Sequence, residues 1–250
     1  MREILYGRNS IYESLRADRR EFFRLRIADT IHPSDITNSI LRLAKSRQVP
    51  VESISRHVLD SLGGVNHQGI VLDVGDFPYT DLEDILISSR EAQTPPLILI
   101  LDLVQDPQNL GTLLRTAEAV GVHGIVIQER RAASITPAVT NSSAGAVEHL
   151  AVARVTNVAQ TIATLKANDL WVAGLEKLPD AQDYTQANLT GPLAVVVGSE
   201  GKGLRRLVRE RCDFLINLPM TGKVTSLNAS VAGSIVLYEV LRQRKQRVRD

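Results

Sequence analysis

From Leu97 onward the apolar residues fall into short unbroken runs separated by stretches long enough for a helix. Leu97–Leu101 contains no polar residue, so a strand made from it must be buried on both faces. Comparable runs recur at Gly124–Ile127, Ala151–Val155, Leu170–Gly174, Leu193–Val197 and Phe214–Leu218. Between the first two, Leu110, Leu113, Leu114 and Ala117 form one helical stripe that closes at Gly121, and further helices are expected at 157–167, 203–211 and 227–244. Strand-helix alternation of this kind predicts an α/β domain with a mainly parallel sheet covered by helices. In such a sheet, ligands bind in loops beyond the carboxyl ends of the strands.

The first 76 residues read as a smaller α/β unit. Ser10–Ala17 is expected to be helical and Phe22–Ala28 a strand. Ser34 caps a helix whose apolar face is Ile36, Ile40, Leu43 and Ala44. A strand at Val49–Ile54 follows, then a short helix around His57–Leu62 ending at Gly63-Gly64, then a strand at Gln68–Val74. The acidic stretch 77–95, bracketed by Phe77-Pro78-Tyr79 and Thr94-Pro95-Pro96, has room for a short helix and reads as a linker. The expected division is therefore a domain at 1–76, a linker at 77–95 and a second domain at 96–250.

Net charge is only +1, but residues 201–250 carry eleven Lys or Arg against four Asp or Glu, and residues 1–47 carry ten against six. Two basic ends suit a polyanionic partner, and equally suit a solvated surface. A single cysteine, Cys212, excludes a disulfide framework and a thiolate zinc cluster, and the five histidines show no metal-ligand spacing. No metal is expected. The amino-terminal residues lack the apolar centre of a signal peptide, and no apolar run reaches the roughly 20 residues that span a bilayer. A soluble cytoplasmic protein without membrane contact is expected.

Three strand ends carry unusual sequences. The first is Asp102-Leu103-Val104-Gln105-Asp106-Pro107-Gln108-Asn109-Leu110-Gly111, followed by Arg115. A helix cap with Pro at the first helical position accounts for Asp106 and Pro107 but leaves Asn109 and Arg115 over. Pairing of Arg115 with Glu118 is the structural alternative. The second is Gly198-Ser199-Glu200-Gly201-Lys202-Gly203, whose glycines allow a ligand close to the backbone at a helix mouth. It matches neither the Walker loop nor the dinucleotide fingerprint. The third is Leu218-Pro219-Met220 followed by Ser226-Leu227-Asn228-Ala229-Ser230-Val231-Ala232, where Ser226 can cap a helix of small residues. The small face of Ala229, Ala232 and Gly233 suits close approach of another backbone.

Taken in order, these three segments closely resemble the SPOUT superfamily in its TrmH-type RNA ribose 2′-O-methyltransferase branch, over residues 96–244. Leu5-Tyr6-Gly7-Arg8-Asn9 and His67-Gln68-Gly69-Ile70 resemble the RNA-binding domain, with an L30e-like fold, that precedes such catalytic domains. This two-domain form is most similar to the bacterial enzymes that methylate a guanosine in the peptidyl-tRNA-binding loop of 23S rRNA. The resemblance implies a deep trefoil knot at the carboxyl end and S-adenosylmethionine as cofactor, with Gly198, Leu218, Met220 and Leu227 around it. It implies a catalytic set of Asn109, Arg115, Glu200, Ser226 and Asn228, and a homodimer that places Arg115 across or near the subunit interface. The same chemistry on tRNA or on another rRNA site remains an alternative, as does a non-catalytic rRNA-binding assembly factor.

Overall fold

The structure is a computed structural model that describes residues 2–62, 65–224 and 226–247; the Gly63-Gly64 helix stop and the tail beyond Arg247 lie outside the described residues. The chain forms two compact units, Met1–Pro78 with Ile135–His149, and Tyr79–Ser134 with Leu150–Asp250.

The first unit opens with β1 (Glu3–Tyr6), α1 (Arg8–Ala17), β2 (Phe22–Ala28), α2 (Asp35–Ser46), β3 (Val51–Ile54), α3 (Arg56–Asp60) and β4 (Ile70–Val74). Its sheet has the order β1-β4-β2-β3, with β4 antiparallel to both neighbours and β3 parallel to β2. Leu5, Leu25, Ile70 and Leu72 from the sheet pack with Ile11 and Leu15 of α1 and Ile40 and Ala44 of α2. Ser34 caps α2 by accepting from the Thr37 N–H at 3.3 Å, and the stripe read from the sequence is the face that packs.

The second unit begins with α4 (Leu82–Glu91), β5 (Leu97–Asp102), α5 (Pro107–Ala119) and β6 (Gly124–Gln128). The chain then supplies α6 (Pro137–Ser142) and a 3-10 turn at Ala146–His149 to the first unit. It returns as β7 (Val152–Val155), α7 (Val158–Lys166), β8 (Trp171–Leu175), β9 (Gln182–Asp183), β10 (Leu193–Gly198), α8 (Arg206–Arg211), β11 (Phe214–Asn217) and α9 (Ala229–Arg247). These strands form one sheet in the order β7-β6-β5-β10-β8-β11-β9, parallel at every pairing. All residues of the central strands β5 and β10 are buried, which is why both read as uninterrupted apolar runs. Because the sheet is parallel, the loops after β5, β10 and β11 leave from the same edge.

Two segments differ from expectation. The stretch read as a linker holds α4, whose Ile85 and Leu86 are buried in the core of the second unit beside Val126 and Ala153. Its acidic face hid the adjacent apolar pair. Residues 135–149 belong with the amino-terminal unit because of Arg20, whose side chain has no exposure. Its guanidinium pairs with Glu148 at 2.9 Å and with Glu3 at 2.7 Å. Asn141 Nδ2 adds a bond to the Tyr6 carbonyl at 3.1 Å, and Ser10 Oγ one to the Thr140 carbonyl at 3.3 Å.

The basic tail is also more committed than its composition suggests. Arg244 donates to the carbonyls of Pro95, Pro96 and Gly191 at 2.7–3.0 Å, and burial pushes its pKa down to about 10. Arg242 pairs with Glu239 at 2.6 Å.

Candidate functional site

Each of the three unusual loops is built by a local device that presents particular side chains. Asp106 caps α5, accepting from the N–H groups of Gln108 at 3.3 Å and Asn109 at 3.1 Å. With Pro107 at the first helical position, the cap sets Asn109 in the first turn, where it is only 8% exposed. At the end of β10 the chain folds back on itself, and the Gly203 N–H donates to the Ser199 carbonyl at 3.0 Å. A Cβ on Gly198 would lie 2.3 Å from the carbonyl carbon of Gly203, so only glycine permits this return.

The third loop corrects one reading. Asn228, not Ser226, caps α9: its Oδ1 accepts from the N–H groups of Ser230 at 2.9 Å and Val231 at 3.3 Å. Capping points the amide nitrogen of Asn228 the other way, toward the first two loops. The small residues of α9 serve packing, since a Cβ on Gly233 would meet Leu113 at 2.6 Å and Val197 at 3.1 Å.

Asn109, Glu200 and Asn228 meet. Glu200 Oε1 accepts from Asn109 Nδ2 at 2.7 Å and from Asn228 Nδ2 at 2.5 Å. Asn228 Nδ2 also reaches Asn109 Oδ1 at 2.9 Å. The hydroxyl of Ser230, buried beneath, donates toward Asn109 Oδ1 at 3.2 Å and Asn228 Oδ1 at 2.6 Å. Each amide is thus held with its nitrogen toward the carboxylate, while Glu200 Oε2 has no donor among the described residues. The sequence reading left Ser230 out, although it lies in the same motif.

Two cavities share the wall that carries Glu200. One, of about 370 Å3, is lined by Gly198, Leu218, Met220, Ser226 and Leu227, and so collects all four residues assigned by resemblance to a cofactor. The other, of about 310 Å3, is lined by Leu103, Gln105, Asp106 and Asn109. Ser199, Glu200, Lys202 and Ala229 line both.

Arg115 stands apart. It is exposed on α5 and, among the described residues, has no hydrogen bond or ion pair, to Glu118 or to any of the other four candidate residues. The reason is geometric: at roughly 100° per residue, six positions turn Arg115 about 120° away from Asn109 around the helix. Among the described residues, no group of three or more His, Cys, Asp or Glu is placed to hold a metal ion.

Residues 96–238 match the SpoU rRNA Methylase family, and residues 4–80 match a domain described as RNA 2′-O ribose methyltransferase substrate binding. YacO of Bacillus subtilis (strain 168), assigned to the TrmH family of tRNA/rRNA methyltransferases, is 43% identical over 242 residues, covering 97% of this chain and 96% of YacO. A Staphylococcus saprophyticus protein with the same assignment is 42% identical over 241 residues, covering 96% of each chain. Among solved structures, the SpoU methyltransferase AviRb from Streptomyces viridochromogenes, in complex with AdoMet, superposes with a TM-score of 0.81 at 24% identity, covering 98% of this chain and 91% of AviRb. An AdoMet-bound rRNA methyltransferase from Sinorhizobium meliloti gives 0.79 at 23% identity, covering 96% and 87%. At these identities the two superpositions show the fold.

Proposed function

Starting from a chain that belongs to the SpoU rRNA Methylase family, within its TrmH group of RNA methyltransferases, we propose that it transfers a methyl group from S-adenosylmethionine to a ribose 2′-hydroxyl, on a guanosine in the peptidyl-tRNA-binding loop of 23S rRNA. The observation that carries this reading is the meeting of Asn109, Glu200 and Asn228 on the wall between two cavities.

The residues present fit the cofactor. The larger cavity lies within the usual volume range of small-molecule sites. Its apolar side is Leu218, Met220 and Leu227, and Gly198 leaves the loop backbone open to close approach. When bound, S-adenosylmethionine supplies a methyl group on a positively charged sulfur, a leaving group already activated. The protein's task is then alignment and management of one proton. Asn109, Asn228 and Glu200 orient the ribose entering from the second cavity. Arg115 is the cation of the set, so it binds the adjacent phosphate and steadies negative charge developing on the 2′-oxygen. An RNA phosphate or water accepts the proton.

Because Arg115 is turned away from this cluster, we place it in the site of a second copy. Val231, Ile235 and Tyr238 are 45%, 36% and 55% exposed and lie one and two turns apart on α9. The buried side of α9 packs on α5, where Thr116 Oγ1 and Ser234 Oγ lie 2.9 Å apart. A homodimer that covers this apolar stripe also brings α5, and with it Arg115, to the interface.

The match of residues 4–80 supports an RNA substrate held by the amino-terminal unit. The relatives' names carry both tRNA and rRNA, so tRNA is the second reading. The reaction belongs to the cytoplasm, with its RNA. The test is Arg115→Ala: cofactor affinity by calorimetry stays within about twofold, while methyl transfer falls by at least about 100-fold, the scale of losing one charge-stabilising donor. Near-normal turnover overturns the assignment.

A further inference from the structure

In the second unit's sheet β10 lies between β5 and β8, and each neighbour sends a carboxylate to the loop that β10 feeds. From β5, the buried Asp102 accepts from the Arg205 N–H at 2.9 Å and from Arg205 Nε at 2.7 Å. From the end of β8, Glu176 accepts from the Leu204 N–H at 2.8 Å. The backbone of Glu176 is itself fixed, because its N–H continues the β8–β11 ladder by donating to the Ile216 carbonyl at 3.0 Å.

Gly174 and Glu176 are two residues apart and therefore share one face of β8. At Gly174 a Cβ would stand 2.8 Å from Leu204 Cδ1, so the bare backbone makes room for the Leu204 side chain. At Glu176 the carboxylate lies against Gly203, whose φ is +64° and whose position would put a Cβ 2.5–2.7 Å from both carboxylate oxygens. Leu204 is thus gripped by its side chain and by its amide, from one face of one strand. Glu176 also lines the 370 Å3 cavity, beside Gly198 and Gly203.

We propose that Glu176 is a positioning residue for the methyl donor, holding the 198–204 loop in its binding shape by accepting the Leu204 N–H. The proposal rests on the cofactor reading above. Asp102 grips only the next residue, so it does not replace this bond.

The experiment compares the full-length wild type with Glu176→Ala and Glu176→Gln. Calorimetry uses S-adenosylmethionine and S-adenosylhomocysteine, and hydrogen exchange of residues 199–205 is followed without ligand. Loss of a hydrogen bond to a charged group predicts that Glu176→Ala weakens both ligands by at least about tenfold and speeds exchange at Leu204 by a similar factor. Glu176→Gln keeps an acceptor and stays within about threefold of wild type on both readouts. Wild-type binding and exchange in Glu176→Ala overturn the proposal. So does a loss in either variant confined to S-adenosylmethionine, which would mark a charge acting on the sulfonium. Should Glu176→Ala not fold, a tenfold loss in Glu176→Gln is enough to overturn it. Absence of binding by the wild type removes the cofactor reading, while the exchange comparison still decides whether Glu176 holds the loop.

Discussion

Replacing Glu148 by Ala removes the principal partner of a guanidinium that has no access to water. Arg20 Nε lies 3.0 and 3.1 Å from the two Glu148 oxygens, and Arg20 Nη2 lies 2.9 Å from Oε1. Breaking a buried pair from one side costs about 3–5 kcal/mol, because the remaining charge stays desolvated. Here Glu3, 23% exposed, still holds Arg20 Nη1 at 2.7 Å, and the Phe77 ring lies 5.0 Å away. That residual pairing puts the loss at the lower end, about 3 kcal/mol. Such a loss raises the open population of the first unit by about 100-fold. The assay is native-state hydrogen exchange read by mass spectrometry. Peptides from β1, α1 and β4 should lose about 100-fold in protection, while those from β5 and β10 keep theirs. Glu148→Gln, which retains hydrogen-bonding atoms, should lose less. If β1, α1 and β4 are unaffected, or β5 and β10 open to the same extent, residues 135–149 are not part of the first unit's fold.

Gly198→Ala places a methyl group against the Gly203 backbone and should cost about 1–3 kcal/mol of loop strain; calorimetry should show at least tenfold weaker cofactor binding, and unchanged affinity contradicts the site. His123, whose Nδ1 accepts from the Leu97 N–H at 3.0 Å, has its pKa held below the ordinary 6.5, first by burial and then by the charge of Arg244. Its neutral form is favoured by folding, so its contribution is complete above pH 6.5 and is lost as the pH falls below that value. The thermal midpoint should drop between pH 7.5 and 5.5, and His123→Gln should flatten that drop; an equal drop in both refutes the sign. Burial, with Asp213 nearby, pushes the Cys212 thiol up to about 12. Native protein should therefore resist iodoacetamide at neutral pH and react only when unfolded; rapid native labelling contradicts that environment.

Much of the second unit is legible in the sequence because a parallel strand buried on both faces is apolar along its length, with a buried polar group such as Asp102 admitted only at its end, where Arg205 pairs with it. Leu97–Leu101 and Leu193–Val197 each fall one residue short of the observed strands. The loops were legible for a related reason: Asn109 and Glu200 are polar residues that neither caps nor apolar stripes required, and they meet in space with Asn228, the residue that caps α9. What escaped depends on partners far away in the chain. Nothing local marks residues 135–149 as part of the first unit, because the cause is a buried Arg20 128 residues from Glu148. Glu176 follows an apolar run like any exposed strand end, and its partner is a backbone N–H 28 residues on. Ser226 and Asn228 are both good capping residues, and only the bonds from Ser230 and Val231 decide between them. The separation of Arg115 from Asn109 was readable from helical geometry alone.

Methyl transfer can be followed by incubating the purified protein with methyl-labelled S-adenosylmethionine and rRNA lacking ribose methylation, then identifying the labelled nucleoside by mass spectrometry. The expected product is 2′-O-methylguanosine at a single position of 23S rRNA. Label on a base, or no transfer to any rRNA or tRNA, contradicts the proposed reaction.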